Sequence, residues 1–311
     1  MRLVFAGSPD AAVPTLRALH AAGHEIALVL TQPDARGKRG SQTYPTPVRV
    51  AAEELGLEVL TPERASEPEV VARVAALEAD AGAIVAYGQI LRPAMLEAVR
   101  LGWVNLHFSV LPAWRGAAPV QRAIMAGDDI TGASTFVLDE GMDTGPVIGV
   151  VTERIAPTDT AGDLLERLSV TGADLMVATM RALEDGSASP QAQPDDGVSY
   201  AAKLTRDDAY VQWDRPAHVI DRQIRGCTPA PGAWTTLPDA SPARLGPVRV
   251  REAASPLPAG QIRFADGEVL VGTGTAPVAL STIQPAGRTA TDAAAWWRGA
   301  RLLEGAMLGE A

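Results

Sequence analysis

The chain has 311 residues, 47% of them hydrophobic and 21% charged, an ordinary globular balance with length enough for two domains that each bury a core. A net charge of −10 argues against nucleic-acid binding by the molecule as a whole, and the one cysteine, Cys227, excludes an internal disulfide and a cysteine-based zinc site. Four scattered histidines do not make a structural metal site, so no metal is expected.

The charge is uneven. Met1 to Ser199 holds 15 Lys and Arg against 26 Asp and Glu, a balance of −11, while the remainder holds 12 against 11. The second half is therefore neutral overall, with seven arginines between Arg206 and Arg251, and a basic channel is compatible with an acidic total because close-range fields follow local charge. The opening M-R-L-V-F-A-G is too short and too Gly-interrupted for a signal peptide. No run approaches the roughly 20 apolar residues of a membrane span. A cytoplasmic location with no membrane contact is expected, and a monomer.

In chain order, Leu3–Ala6 reads as a buried strand, G-S-P-D as a turn, 11–22 as a helix ending at Gly23, and Ile26–Leu30 as the next strand. This βαβ opening predicts a mostly parallel sheet, an α/β Rossmann-like fold. Its glycine spacing is not the dinucleotide G-x-G-x-x-G, which disfavours a nicotinamide-dependent oxidoreductase. Residues 31–47 (T-Q-P-D-A-R-G-K-R-G-S-Q-T-Y-P-T-P) form a polar Gly/Pro-broken stretch carrying Arg36, Lys38 and Arg39. It reads either as a solvated mobile loop or as a cationic finger for RNA phosphates. Helices are predicted at 47–56, 67–78 and 93–99, with strands at 57–60, 81–86 and 102–105. A helix at 120–127, strands at 131–138 and 146–155, and a long helix at 160–184 follow. Ile90-Leu91 is expected in the core or at the mouth of a site.

Residues 185–197 are rich in Gly, Ser, Pro, Gln and Asp and mark a boundary. The expected division is a catalytic domain at 1–188, a linker at 189–206 and a C-terminal domain at 207–311. Past a short helix at 219–224, apolar runs at 234–237, 248–251, 261–264, 268–272 and 278–283 alternate with Pro/Gly turns, which predicts a small β-barrel. Arg222 and Arg225 share a helix face, either against RNA or in surface salt bridges. Trp296 and Trp297 read as packing.

The stretch from Trp103 to Gln121, W-V-N-L-H-F-S-V-L-P-A-W-R-G-A-A-P-V-Q, carries the chemistry. Asn105 and His107 lie two apart at the end of an apolar run, so on a strand they project from one face. At the carboxyl end of a parallel strand that is where ligands bind. Downstream, D-E-G-M-D-T-G (139–145) sets Asp143 among glycines. An amide, an imidazole and a carboxylate on separate segments suit acyl transfer, with the amide aimed at a carbonyl oxygen. Taken singly, the histidine reads as a core residue and the acidic motif as a turn.

The set is more specific than its members. F-A-G-S-P (5–9), the N-L-H run, S-V-L-P-A-W-R-G-A-A-P-V-Q (109–121), D-E-G-M-D-T-G, W-D-R-P-A-H-V-I-D-R-Q-I-R-G (213–226) and P-A-P-G-A-W (229–234) resemble the methionyl-tRNA formyltransferase family, in order and over nearly the whole chain. The resemblance implies a formyltransferase-fold sheet domain and an OB-like C-terminal barrel that grips RNA. It implies transfer of a formyl group from 10-formyltetrahydrofolate to the α-amine of initiator methionyl-tRNA. It assigns catalysis to Asn105, His107 and Asp143, with protonated His107 and the Asn105 amide donating to the oxyanion. Asp143 is expected to raise the pKa of His107, and either residue is left as the base. The resemblance gives Ser109, Val110, Leu111 and Pro112 to the folate, and Arg36, Lys38 and Arg39 to the tRNA acceptor arm. Val110 stands where the family carries Leu, Ala113 where many members carry Arg, and Phe108 where a small residue is common. The same domain resembles glycinamide ribonucleotide and nucleotide-sugar formyltransferases and a formyltetrahydrofolate hydrolase. The basic stretch and the second domain favour tRNA. A catalytically dead RNA-binding protein is the reading from another class.

Overall fold

A computed structural model describes residues 1–36, 43–303 and 305–309. The chain forms two compact units. One comprises Met1–Pro119, Ile130–Arg154 and Leu165–Ala201, the other Val120–Asp129, Ile155–Leu164 and Ala202–Ala311.

The first unit is built on β1 (Arg2–Gly7), β2 (Glu25–Leu30), β3 (Ala35–Arg36), β4 (Thr43–Tyr44), β5 (Val59–Leu60), β6 (Ala81–Val85), β7 (Trp103–His107), β8 (Ile130–Val137) and β9 (Val147–Arg154). Its helices are α1 (Val13–Ala21), α2 (Pro47–Glu54), α3 (Pro68–Ala75) and α4 (Pro93–Leu96), followed in the chain by α5 (Pro119–Ala126) and α6 (Ala161–Asp185). Seven strands make one sheet in the order β5-β2-β1-β6-β7-β8-β9. The pairs from β5 to β7 are parallel, and β8 and β9 are antiparallel additions. The parallel strands are continuous apolar runs because crossover helices leave them little exposed surface. Val4, Leu28, Leu30, Ile84, Val70, Val74, Met95 and Trp103 share one core cluster. Trp103 is fully buried, its indole N–H donating to the Met95 carbonyl at 2.8 Å. Gly82 on β6 leaves the space that the indole fills. Losing such a ring typically costs about 3–5 kcal/mol.

Within the 31–47 stretch, the described ends carry a short ladder that its composition does not announce. β3 and β4 pair antiparallel as a hairpin. Its root is closed by a 2.6 Å hydroxyl contact between Thr31 and Thr46 and by a 2.9 Å ion pair from Arg49 to Asp34. Arg36 ends β3, and Lys38 and Arg39 lie outside the described residues.

The second unit adds α7 (Ala217–Gly226), β10 (Trp234–Thr236), β11 (Pro242–Leu245), β12 (Val248–Val250), β13 (Ile262–Ala265), β14 (Glu268–Val271), β15 (Val278–Leu280), β16 (Thr282–Pro285), β17 (Thr291–Asp292) and α8 (Ala293–Ala300). Two four-stranded antiparallel sheets, β10-β11-β16-β17 and β12-β15-β14-β13, surround one core that includes Trp213, Ile220, Ile224, Leu245, Val269, Val271, Leu280 and Ile283. This is the small antiparallel β domain expected from the run of short apolar segments.

The run at 278–283 is two strands, broken at Ser281, whose hydroxyl donates to the Pro247 carbonyl. α8, which the sequence reading did not include, begins at T-D-A-A-A, where the Asp292 carboxylate caps the Ala295 N–H at 2.9 Å. Trp296 and Trp297 pack against the core, and the Trp297 ring stacks on Phe264 at 6.1 Å. Arg225 is not an RNA-facing side chain. It is buried, donating to Asp221 at 2.8 Å and to the Asp159 carbonyl at 3.0 Å.

Candidate active site

β7 delivers two of the three expected groups. Asn105 and His107 occupy alternate positions of the strand, and His107 is its last residue. His107 is buried, at 6% exposure, beside the edge of the Phe136 ring on β8, 6.5 Å between centroids. Its Nε2 lies 2.8 Å from the Trp114 carbonyl oxygen. A carbonyl can only accept, so Nε2 carries the proton, and in the neutral ring Nδ1 is a lone pair. Asp143 Oδ2 faces Nδ1 at 3.7 Å. The side-chain amide of Asn105 has no hydrogen-bond partner among the described residues.

Topology makes the Asp143 contact costly to arrange. β8 is antiparallel to β7, and Val137, its last residue, pairs with Val104 rather than with His107. The β8–β9 loop therefore leaves the sheet about 10 Å from the histidine, three residues at roughly 3.4 Å each. Asp143 reaches His107 only because that loop doubles back. Asp143 itself takes a left-handed conformation, φ 55°, which a residue other than glycine adopts at some energetic expense. The turn before it is held by Asp139, which accepts from the Gly141 N–H at 3.0 Å and from the Thr144 hydroxyl at 2.8 Å. Asp143 Oδ2 also accepts from the Gly116 N–H at 2.7 Å.

The electrostatics differ from the sequence expectation in one respect. The pKa of His107 is lowered, not raised. Burial, which penalises the imidazolium, outweighs the opposing pull of Asp143 and of the Trp114 carbonyl. The resting imidazole is therefore neutral near pH 7.

Of the four residues proposed for folate, Ser109 and Leu111 are turned inward. The Ser109 hydroxyl donates to the Ala113 carbonyl at 2.6 Å, and the Leu111 N–H donates to the Ser134 hydroxyl at 3.1 Å. Val110 and Pro112 are half-buried. Ile90 is exposed and Leu91 is buried, so the pair divides between surface and core.

Sequence reasoning missed a third wall. The segment 191–201 is composed like a linker, but it lies against the W-R-G turn. Gln191 bridges to Val147, and Tyr200 bridges in parallel to Arg115. The Gln193 amide donates to the carbonyls of Asp143 and Gly145, both at 2.8 Å, and its oxygen accepts from Arg115 Nε at 3.0 Å and Nη2 at 2.7 Å. The Ser199 hydroxyl accepts from the Trp114 N–H at 2.9 Å. Gly116, with φ 120°, passes so near Ala201 that a Cβ would stand 2.9 Å from its carbonyl oxygen. No local signal marked these residues; only the W-R-G turn was visible.

Comparison with known proteins identifies the family. A family model described as formyl transferase matches residues 1–180, and one described as formyl transferase, C-terminal domain, matches 203–301. Methionyl-tRNA formyltransferases of Mycobacteroides abscessus (53% identical, 97% of this chain and 98% of the relative) and Thermobifida fusca (52%, 100% of both) are among many similar sequences. That of Frankia casuarinae is 51% identical over 99% of this chain and 96% of the relative. Among solved structures, HypX from Aquifex aeolicus in complex with tetrahydrofolic acid matches with a TM-score of 0.69 at 14% identity, over 98% of this chain. This chain spans 48% of the HypX chain. An N-formyltransferase from Helicobacter canadensis matches with a TM-score of 0.63 at 16% identity, over 91% of this chain and 98% of its own length. These two share the fold. The chain belongs to the formyl transferase family, among the methionyl-tRNA formyltransferases.

Proposed function

We propose that the chain transfers a formyl group from 10-formyltetrahydrofolate to the α-amine of methionyl-tRNA, with neutral His107 as the base. The observation that carries this reading is the fixed tautomer. With Nε2–H held by the Trp114 carbonyl, the Nδ1 lone pair faces the side where Asp143 stands. Bound folate supplies an electrophilic formyl carbon carried on nitrogen. Nδ1 takes the proton lost by the attacking amine, and Asp143 stabilises the imidazolium that results. The imidazolium then has a proton to return to the departing nitrogen. The unclaimed Asn105 amide is the donor for the carbonyl oxygen as charge gathers there.

A partnerless amide beside a buried base fits a carbonyl and an amine as reacting groups. Within 109–112 we assign Val110, Pro112 and the backbone to the co-substrate, with Ser109 and Leu111 shaping the turn. Arg36, Lys38 and Arg39 of the basic 31–47 stretch are assigned to phosphates of the acceptor arm. RNA contact is also assigned to the second unit, and the enzyme is read as a cytoplasmic monomer. No helix among the described residues is long and apolar enough to cross a membrane.

The test is an assay with 10-formyltetrahydrofolate and three acceptors: charged initiator methionyl-tRNA, elongator methionyl-tRNA and glycinamide ribonucleotide. Transfer to the initiator alone, or to it far above the others, is expected. Preference for the ribonucleotide would overturn the assignment of acceptor.

A further inference from the structure

The imidazole of His107 is hydrogen-bonded at Nε2 and faced by Asp143 at Nδ1, and both sides lead to the same segment. On the Nε2 side, the Trp114 carbonyl is fixed by its own residue's N–H, which donates to Ser199 at 2.9 Å. The neighbouring Arg115 N–H donates to the Ser199 carbonyl at 2.9 Å, and the Ala201 N–H donates to the Arg115 carbonyl at 2.7 Å. On the Nδ1 side, Asp143 sits on a loop that must double back and adopt a left-handed backbone. Such a loop has many cheaper conformations, so something outside it must select this one. Two groups do so: the Gly116 N–H holds the carboxylate, and Gln193 holds the backbone with both amide hydrogens, one on the carbonyl of Asp143 and one on that of Gly145. Arg115 clasps the amide oxygen with two N–H groups, so the amide cannot flip. The Asp143 loop, the W-R-G turn and the segment thus close one hydrogen-bonded ring around the imidazole.

We propose that residues 191–201 are a positioning strap of the active site, in which Gln193 sets Asp143 against His107 Nδ1 and Ser199 sets Trp114 against His107 Nε2. Neither residue touches a reacting atom; each acts through the pair it orients. This proposal rests on the assignment of His107 and Asp143 made above. It predicts an asymmetry between variants of one side chain. Gln193→Leu removes both grips. Gln193→Glu keeps the acceptor for Arg115, but it turns an acceptor oxygen on the two carbonyls that now receive N–H donors, so it should fail as badly as leucine despite its equal size.

The experiment uses the full chain with Gln193→Leu, Gln193→Glu and Ser199→Ala. It measures kcat, KM for folate and for methionyl-tRNA, Tm, and the titration of the His107 ring by NMR. For both Gln193 variants, kcat is expected to fall roughly 10- to 100-fold with either KM changed less than about threefold, the signature of a misplaced group rather than lost binding. The groups against the His107 ring are Asp143, the Trp114 carbonyl and the Phe136 ring. Loosening Asp143 should therefore move the His107 titration to still lower pH in Gln193→Leu. Ser199→Ala should lower kcat as well, by a smaller factor. A Gln193→Glu enzyme with wild-type kcat, or an unmoved His107 titration in Gln193→Leu, overturns the strap. A fall in Tm with kcat unchanged does the same, because it reduces the segment to packing. Should the wild type fail to transfer formyl at all, the assignment of function fails instead, and the ring titration still decides the strap.

Discussion

The carboxyl end of β7 and the strap opposite it contribute to one site by different means. β7 supplies groups whose types are rare in an apolar run, and the two-residue period of a strand alone puts Asn105 and His107 together. The strap supplies a generic amide, a hydroxyl and several main-chain groups, none of which is chemically conspicuous. Its composition of Pro, Gln, Asp, Gly and Ser is also that of a connector. Groups that react can be found by what they are, whereas groups that position are found only by what they touch. Gln193 lies 50 residues along the chain from the Asp143 carbonyl that it holds.

That contrast sets the expected order of effects. His107→Ala should lower kcat most, by about 10²- to 10⁴-fold, the range for a lost general base. Steady-state kinetics with unchanged circular dichroism check this, and a variant at wild-type rate would remove His107 from the chemistry. Asn105→Ala follows at roughly 10²- to 10³-fold, also in kcat, as for a lost oxyanion donor. If it raised KM alone, Asn105 would belong to binding. The strap variants come next, one step below the reacting groups. If Gln193→Leu exceeded Asn105→Ala, the division between reacting and positioning groups would break down.

The acid dependence is smaller and concerns stability. The folded state lowers the His107 pKa, so the neutral ring is favoured by folding. The corresponding stability is fully present above the unfolded value of about 6.5 and is lost as pH falls through the folded value. Tm should therefore decline below about pH 6.5, and His107→Asn should flatten that decline. An equal slope in the variant would assign it elsewhere, His24 being the nearest candidate because burial lowers its pKa as well. Last, Lys38→Ala with Arg39→Ala should raise KM for methionyl-tRNA several-fold and more steeply at low salt, leaving KM for folate in place. Unchanged tRNA kinetics would make the β3–β4 hairpin a surface feature only.

Much of the molecule was open to sequence reasoning. The βαβ opening, the buried strands and the small antiparallel second unit all follow from periodicity and turn residues, and β7 could be recognised as the strand that presents Asn105 and His107. The errors have physical causes. The ladder of Ala35–Arg36 with Thr43–Tyr44 went unread because two-residue strands leave no period to read. Arg225 looked like a surface cation because its partners, Asp221 and the Asp159 carbonyl, include one 66 residues away. The sign of the His107 shift depended on burial, which a residue's type does not reveal. The inward turn of Ser109 was equally hidden, its hydroxyl being spent four residues on at Ala113.

The doubled-back β8–β9 loop sets a limit on how this family member can vary. Most surface loops accept insertions, because nothing depends on where their tips fall. Here the tip carries the carboxylate, and both ends are fixed by strands. Deleting one residue between Leu138 and Met142 would drag Asp143 by up to roughly 3.5 Å, one residue's reach, enough to take the carboxylate away from His107 Nδ1. Length, more than composition, is the property of 138–146 that a working enzyme has to preserve.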